Sequence, residues 1–349
     1  MSATWGTNIE LSLFGESHGE AIGIVIGHLP AGIELDEEFI RSEMDRRIPG
    51  KKLTTTRKED DEYHIISGVL NNKTTGAPLC MIIKNKDHHS QDYSLLKDIM
   101  RPSHSDYGAY VKYNGLNDIR GGGHFSGRLT APIVFAGAIA KIILKQKGIE
   151  IKSHIYNIKE IYDEHFGINI YHDNNSDTIN EDVYIKMLEE VEKARNEGDS
   201  LGGSIECAIL NVPAGIGNPF FDSIESHMSS LLFSIPAVKS VNFTLSDDVT
   251  SLKGSEFNDS YYYDQEVVKT LSNNNGGIVG GITNGMPVIV RVGFKPTPSI
   301  SKIQNTVNVK TKENTTLQLK GRHDPCIVLR ARAVVEAMCA LSILDQMGY

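Results

Sequence analysis

One local pattern occurs twice in the chain, and it restricts the folds open to it. Ala21–Gly27 reads as a strand that runs into Leu29-Pro30-Ala31-Gly32-Ile33 and then a helix, Leu35–Ile48. Ser204–Leu210 reads as a strand that runs into Val212-Pro213-Ala214-Gly215-Ile216 and then a helix, Asp222–Ser234. Later in each half, Thr75-Gly76-Ala77-Pro78 leads into Leu79–Lys84, and Asn284-Gly285-Met286-Pro287 leads into Val288–Gly293. Proline and glycine mark many turns, so chance likeness is the alternative. Taken as a repeat, the pattern predicts one domain over residues 1–349 with two related βαβ-type halves, approximately 7–150 and 200–349. A site could then lie where the halves meet.

Further elements fill in each half. Strands are predicted at His64–Val69, Lys239–Leu245 and Met286–Phe294, and helices at Arg128–Lys147, Asp182–Asn196 and Ile327–Gln346. The first and last of these helices are mostly apolar, so both belong in a core. No apolar run approaches the roughly 18 residues of a membrane span. The stretch from Met1 to Gly19 lacks a basic segment followed by an apolar one, which predicts no signal peptide. Cys80, Cys207, Cys326 and Cys339 are far apart and form no Cys-x-x-Cys, so neither a disulfide framework nor a metal site is signalled. A cytoplasmic protein with reduced thiols is the expectation. The net charge of −9 argues against a nucleic-acid binder. Yet between Arg41 and Lys58 seven basic residues face two acidic ones. Screening beyond about 8 Å at physiological salt lets such a patch attract an anion locally.

Six glycine or proline loops carry chemically active side chains. Phe14-Gly15-Glu16-Ser17-His18-Gly19 places a histidine on a loop with little to bury it. In Arg101-Pro102-Ser103-His104-Ser105-Asp106-Tyr107, two readings stand. In an extended segment His104 and Asp106 share a face, and the carboxylate orients the imidazole. In a turn, Asp106 caps local amides instead. Arg120-Gly121-Gly122-Gly123-His124-Phe125-Ser126-Gly127-Arg128 precedes a helix and reads as an anion cradle or as a glycine hinge. It lacks the Gly-Lys-Ser/Thr element of a Walker A loop. Asn275-Gly276-Gly277-Ile278-Val279-Gly280-Gly281 suggests an intimate strand crossing. Lys295-Pro296-Thr297-Pro298-Ser299 ends a strand with a cation and two hydroxyls. Gly321-Arg322-His323-Asp324-Pro325-Cys326 offers an arginine suited to phosphate or carboxylate, with Asp324 as an acid or a helix N-cap.

In this order, these loops resemble chorismate synthase. So do Asp199-Ser200-Leu201-Gly202-Gly203, Ile235-Pro236-Ala237-Val238-Lys239 and Arg46-Arg47-Ile48-Pro49-Gly50, and the likeness covers essentially the whole chain. The resemblance implies an α+β fold with a β-α-β sandwich core, assembled as a homotetramer. It implies a lyase that converts 5-enolpyruvylshikimate 3-phosphate to chorismate and phosphate by 1,4-anti elimination. That reaction needs reduced FMN, with NADPH as a candidate reductant. By resemblance His18, His104 and Asp324 are catalytic. FMN contacts fall on His124, Phe125, Ser126, Pro236, Ala237, Gly280, Lys295, Pro296, Thr297, Pro298, Ser299 and Arg322. Arg47, Arg101 and Arg128 face substrate anions or NADPH, and no metal is called for. The chain departs from the family pattern at His124, where an arginine is common, at Pro236, where an asparagine is common, and at Leu53. Two rivals from other classes are a flavin oxidoreductase and a non-catalytic phospho-ligand binder.

Overall fold

The structure is a computed structural model that describes residues 3–48, 53, 61–85, 97–167, 170, 176–246, 248–319 and 323–349. The first half holds strands β1 (Thr4–Trp5), β2 (Glu10–Gly15) and β3 (Ala21–Gly27), then helix α1 (Glu37–Arg47). Strands β4 (Tyr63–Ser67), β5 (Val69–Leu70), β6 (Lys73–Thr74) and β7 (Leu79–Lys84) follow, then helices α2 (Asp106–Lys112) and α3 (Thr130–Gln146). The second half opens with β8 (Glu150–Ile158), β9 (Ile161–Tyr162), α4 (Glu181–Asn196) and β10 (Gly203–Leu210). Next come α5 (Ile224–Leu232), β11 (Val238–Asn242), the short helix α6 (Gly254–Phe257), and the hairpins β12–β13 (Tyr261–Asp264, Val267–Thr270) and β14–β15 (Ile278–Val279, Ile282–Thr283). Strand β16 (Val288–Phe294), hairpin β17–β18 (Gln304–Asn308, Glu313–Leu317) and helix α7 (Val328–Met347) complete the chain.

Two antiparallel five-stranded sheets result, ordered β1-β2-β3-β7-β4 and β11-β16-β10-β8-β9. In the first, β3 and β4 both run antiparallel to the intervening β7, so β3-α1-β4 is a βαβ unit split by one strand. In the second, β10 and β11 flank β16 in the same way around α5. The turns match to the atom. Thr74 Oγ1 donates to Pro30 O at 2.6 Å and accepts from Ile33 N at 2.9 Å. Thr283 Oγ1 donates to Pro213 O at 2.6 Å and accepts from Ile216 N at 3.0 Å.

Helices α3 and α7 lie between the sheets, α3 against β3 and α7 against β8 and β10. They pack on each other through Gly137, where a Cβ would stand 2.2 Å from the Ala337 methyl. Most of α3 and nearly all of α7 are buried, which explains their apolar composition. Buried ion pairs tie this layer together: Glu336 accepts from Arg46 at 2.6 and 2.7 Å and from Lys141 at 2.5 Å. Among the described residues one stretch, Gly127–Gln146, has the length and hydropathy to cross a membrane, and 78% of that window is buried inside the protein.

The helix expected at Arg128–Lys147 begins two residues later, because Gly127–Leu129 forms a tighter 3-10 turn. The helix expected at Leu35–Ile48 is shorter because Asp36 caps it, accepting from Phe39 N at 2.9 Å. Leu79–Lys84 is a strand as read.

Candidate active site

The loops between strands and helices converge on the glycine triplet. Gly121, Gly122 and Gly123 all have positive φ, at 58°, 87° and 55°. The segment is therefore an irregular turn, separated from α3 by Ser126 and the 3-10 turn, and not the first turn of that helix. Its role is close approach. A Cβ on Gly121 would stand 2.2 Å from Cε1 and Nδ1 of His18. A Cβ on Gly122 would lie 3.7 Å from Cε1 and Nε2 of His104. Adjacent Cα atoms are about 3.8 Å apart, so two imidazoles from distant loops rest on neighbouring residues of one glycine floor. Ser17 N donates to Gly123 O at 3.1 Å, which locks the His18 loop onto it. His124 Nδ1 lies 2.9 Å from the Gly15 carbonyl oxygen, which fixes the other end.

His104 and Asp106 do meet, but through a turn rather than an extended segment. Ser103 adopts φ 58°, and Asp106 opens α2. His104 Nδ1 is 2.6 Å from Asp106 Oδ1. Asp106 also accepts from the Arg101 backbone at 3.1 Å and from its guanidinium at 2.7 and 2.8 Å. Within that turn Asp106 both meets the imidazole and accepts from a backbone amide. Burial pushes its carboxyl up, yet the hydrogen bonds from Arg101 and His104 hold it well below the usual carboxylate range. Arg101 is buried and joined to Asp106 within the protein.

Arg47 and Arg128 both pair with Asp61, a buried carboxylate that the sequence reading passed over. Burial raises the Asp61 pKa, and the two guanidiniums more than reverse that. Asn85 connects this cluster to His18: its amide donates to Glu16 O at 3.0 Å and Gly19 O at 2.9 Å. Its Oδ1 lies 3.5 Å from Arg128 Nε.

The second half contributes the end of β16. Lys295 donates through Nζ to Ser103 O, beside His104, and through its backbone N–H to Ala237 O at 3.0 Å. Ala237, next to Pro236, has φ 74°. Burial, aided by Lys239, lowers the Lys295 pKa. Thr297 Oγ1 donates to Asp324 O at 2.8 Å. Pro298 O accepts from Gln304 at 3.4 Å; Pro296 and Ser299 flank these residues in the same loop. Asp324 pairs with Arg330 on α7 at 2.5 Å, so it is not the helix N-cap, a position held by Ile327. Arg330 was not anticipated; its six-residue offset from Asp324 spans a loop and a helix start and forms no local motif.

Phe125 is 41% exposed, near Tyr113, and Ser126 Oγ accepts from Arg128 N at 3.3 Å. Gly280, at the β14–β15 turn, lines a groove of about 530 Å³ with Phe220, Ser223, Val241 and Phe243. Arg322 and the basic residues at 51, 52, 57 and 58 lie outside the described residues. Among the described residues no cluster of histidine, cysteine, aspartate or glutamate is arranged to hold a metal.

The sequence model of the chorismate synthase family matches residues 9–347. The protein named chorismate synthase from Thermococcus gammatolerans is 45% identical over 347 residues, 98% of this chain and 96% of its own. That from Dehalococcoides mccartyi is 44% identical over 353 residues, 99% of this chain and 96% of its own. A crystal structure of chorismate synthase superposes with a TM-score of 0.77 at 28% identity, covering 98% of this chain and 92% of that one.

Proposed function

Because this chain belongs to the chorismate synthase family, lyases that convert 5-enolpyruvylshikimate 3-phosphate to chorismate and phosphate in aromatic amino-acid biosynthesis, we propose that the glycine floor with its two imidazoles is where the elimination occurs. The observation that carries this reading is the juxtaposition of His18 and His104 over Gly121 and Gly122.

The leaving group is a phosphate whose C–O bond breaks, so charge accumulates on its oxygen and needs a proton and cations. His104 donates that proton from Nε2. General acid help of this kind contributes about 10²–10⁴-fold. Arg47 and Arg128, held together by Asp61, are the guanidiniums we assign to the phosphate or carboxylates of the substrate. By family likeness Asp324, paired with Arg330, would help take up the proton that the elimination releases. By family likeness His18, beside Gly121, would protonate or assist the reduced flavin.

The donor set fits a flavin mononucleotide. Lys295 is a partly buried cation beside Lys239, with the Ser299 hydroxyl in the same loop, groups suited to phosphate. The exposed ring of Phe125 offers a flat face beside His124 and Ser126, and Ala237 presents backbone near Lys295. Reduced FMN, when bound, supplies electron density to the allylic system that the elimination breaks. We assign Arg322 and Gly280 to the same ligand by family likeness, NADPH as candidate reductant, a homotetramer as the assembly and the cytoplasm as the compartment. Two related halves in one domain form the scaffold.

The test is anaerobic: purified protein, 5-enolpyruvylshikimate 3-phosphate and chemically reduced FMN. Chorismate and phosphate are expected in equal amounts; production of neither sinks the proposal. A second run with NADPH and oxidised FMN reads whether the protein reduces its own flavin.

A further inference from the structure

We infer that Asp106, clamped by Arg101, is a positioning residue that holds the His104 imidazole with Nδ1 protonated and Nε2 turned to the glycine floor. The inference rests on the function proposed above, in which His104 acts from Nε2.

The hydrogen bonding of the carboxylate carries the argument. Oδ1 faces His104 Nδ1 at 2.6 Å and accepts from Arg101 at 2.8 Å; Oδ2 accepts from the Arg101 guanidinium at 2.7 Å and backbone at 3.1 Å. With both oxygens held by the same arginine, the carboxylate can neither rotate nor follow the ring. An ionised carboxylate only accepts hydrogen bonds, so Nδ1 must carry the proton at this short contact. The tautomer is then decided, and the exchangeable position left is Nε2. That edge of the ring is the one beside Gly122. Without the clamp an imidazole has a broad, roughly two-fold torsion, and Nδ1 and Nε2 would exchange places over the floor. Ser105 Oγ, at 3.4 Å from Nδ1, is too distant to replace the carboxylate. The turn is also held by Lys295, whose ammonium donates to Ser103 O, so the second half braces the loop that carries His104.

Asp106 therefore acts through His104, and its removal should lower turnover without much change in substrate affinity. The experiment compares Asp106→Asn, His104→Ala and the double variant for kcat and KM with reduced FMN. Asp106→Asn is expected to lower kcat by roughly tenfold to a hundredfold, part of the general-acid contribution, with KM moving less than about threefold. In the His104→Ala background the same substitution should cost less than about threefold, because coupled residues are not additive. An equal loss in both backgrounds would overturn the inference and make Asp106 a structural residue. Nitrogen-15 NMR of histidine-labelled wild-type protein gives a readout independent of turnover and of how Asp106→Asn folds. A protonated Nδ1 on His104, assigned by its loss in His104→Ala, supports the inference, and an unprotonated Nδ1 overturns it. If wild-type protein makes no chorismate, the family activity fails while the NMR result still decides the tautomer.

Discussion

The two halves share a framework and divide the chemistry. Thr74 and Thr283 make the same pair of hydrogen bonds in equivalent turns, and β2-β3-β7-β4 has the strand order of β8-β10-β16-β11. The connections differ. Between β2 and β3 a tight turn carries His18; between β8 and β10 the chain runs from Lys159 to Gly202 and includes α4. After β7 come His104 and the glycine floor; after β16 come Lys295, Thr297 and Asp324. One site then draws on both halves, joined where Lys295 meets Ser103.

The largest expected effect is on the first half's chemistry. His104→Ala should lower kcat by about 10²–10⁴-fold while flavin still binds, checked by steady-state kinetics and flavin titration. Loss of flavin binding would instead make the His104 loop part of the scaffold. Next is Gly121→Ala, whose methyl would meet the His18 ring at a φ that only glycine adopts readily. It should destabilise the protein by about 1–3 kcal/mol and lose most activity, measured by denaturant unfolding beside turnover. Unchanged activity would dismiss the glycine floor.

Thr74→Val and Thr283→Val address the shared framework. Each leaves a turn amide and a carbonyl oxygen without the hydroxyl, at a cost of about 1–3 kcal/mol, and the two costs should agree within about 0.5 kcal/mol. A large inequality in urea midpoints would mean that the halves are alike in outline only.

The smallest effect concerns the second half alone. On its sheet, burial pushes the Glu206 carboxyl up, but hydrogen bonds from His154 and His165 bring it down from 4.5 to about 2. A lowered carboxyl stabilises the fold at pH above its unfolded value, and that stabilisation is lost as pH falls from about 4.5 through 2. Its partner His154 is raised above 6.5 by Asp163 and Glu206 against its burial. The histidine contribution is therefore complete below 6.5 and lost as pH rises through the higher folded value. Melting temperatures of wild type and Glu206→Gln between pH 2 and 8 should converge in acid; a constant gap would contradict this.

Much of this division was legible in the sequence because turns write themselves locally. Pro-Ala-Gly-Ile after a strand, and a Gly-x-Pro turn before one, place both frameworks, and the functional loops announce themselves by glycine next to histidine or arginine. The hydroxyls of Thr74 and Thr283 were not singled out, since nothing adjacent shows that they reach back to Pro30 and Pro213. Strand β8 escaped notice for a different reason. Ser153 and His154 are buried on successive positions, so the alternation of apolar and polar residues is broken. Asp61 and Arg330 were missed because each acts only through partners distant in sequence or across a loop.

Two similar frameworks that supply different residues to one site make a stoichiometric demand. Isothermal titration of the protein with 5-enolpyruvylshikimate 3-phosphate in the presence of FMN counts sites per chain. One substrate bound per chain, lost in a variant lacking Arg47 and Arg128, is the predicted result. Two per chain, or one that survives that variant unchanged, would contradict a single site assembled from both halves.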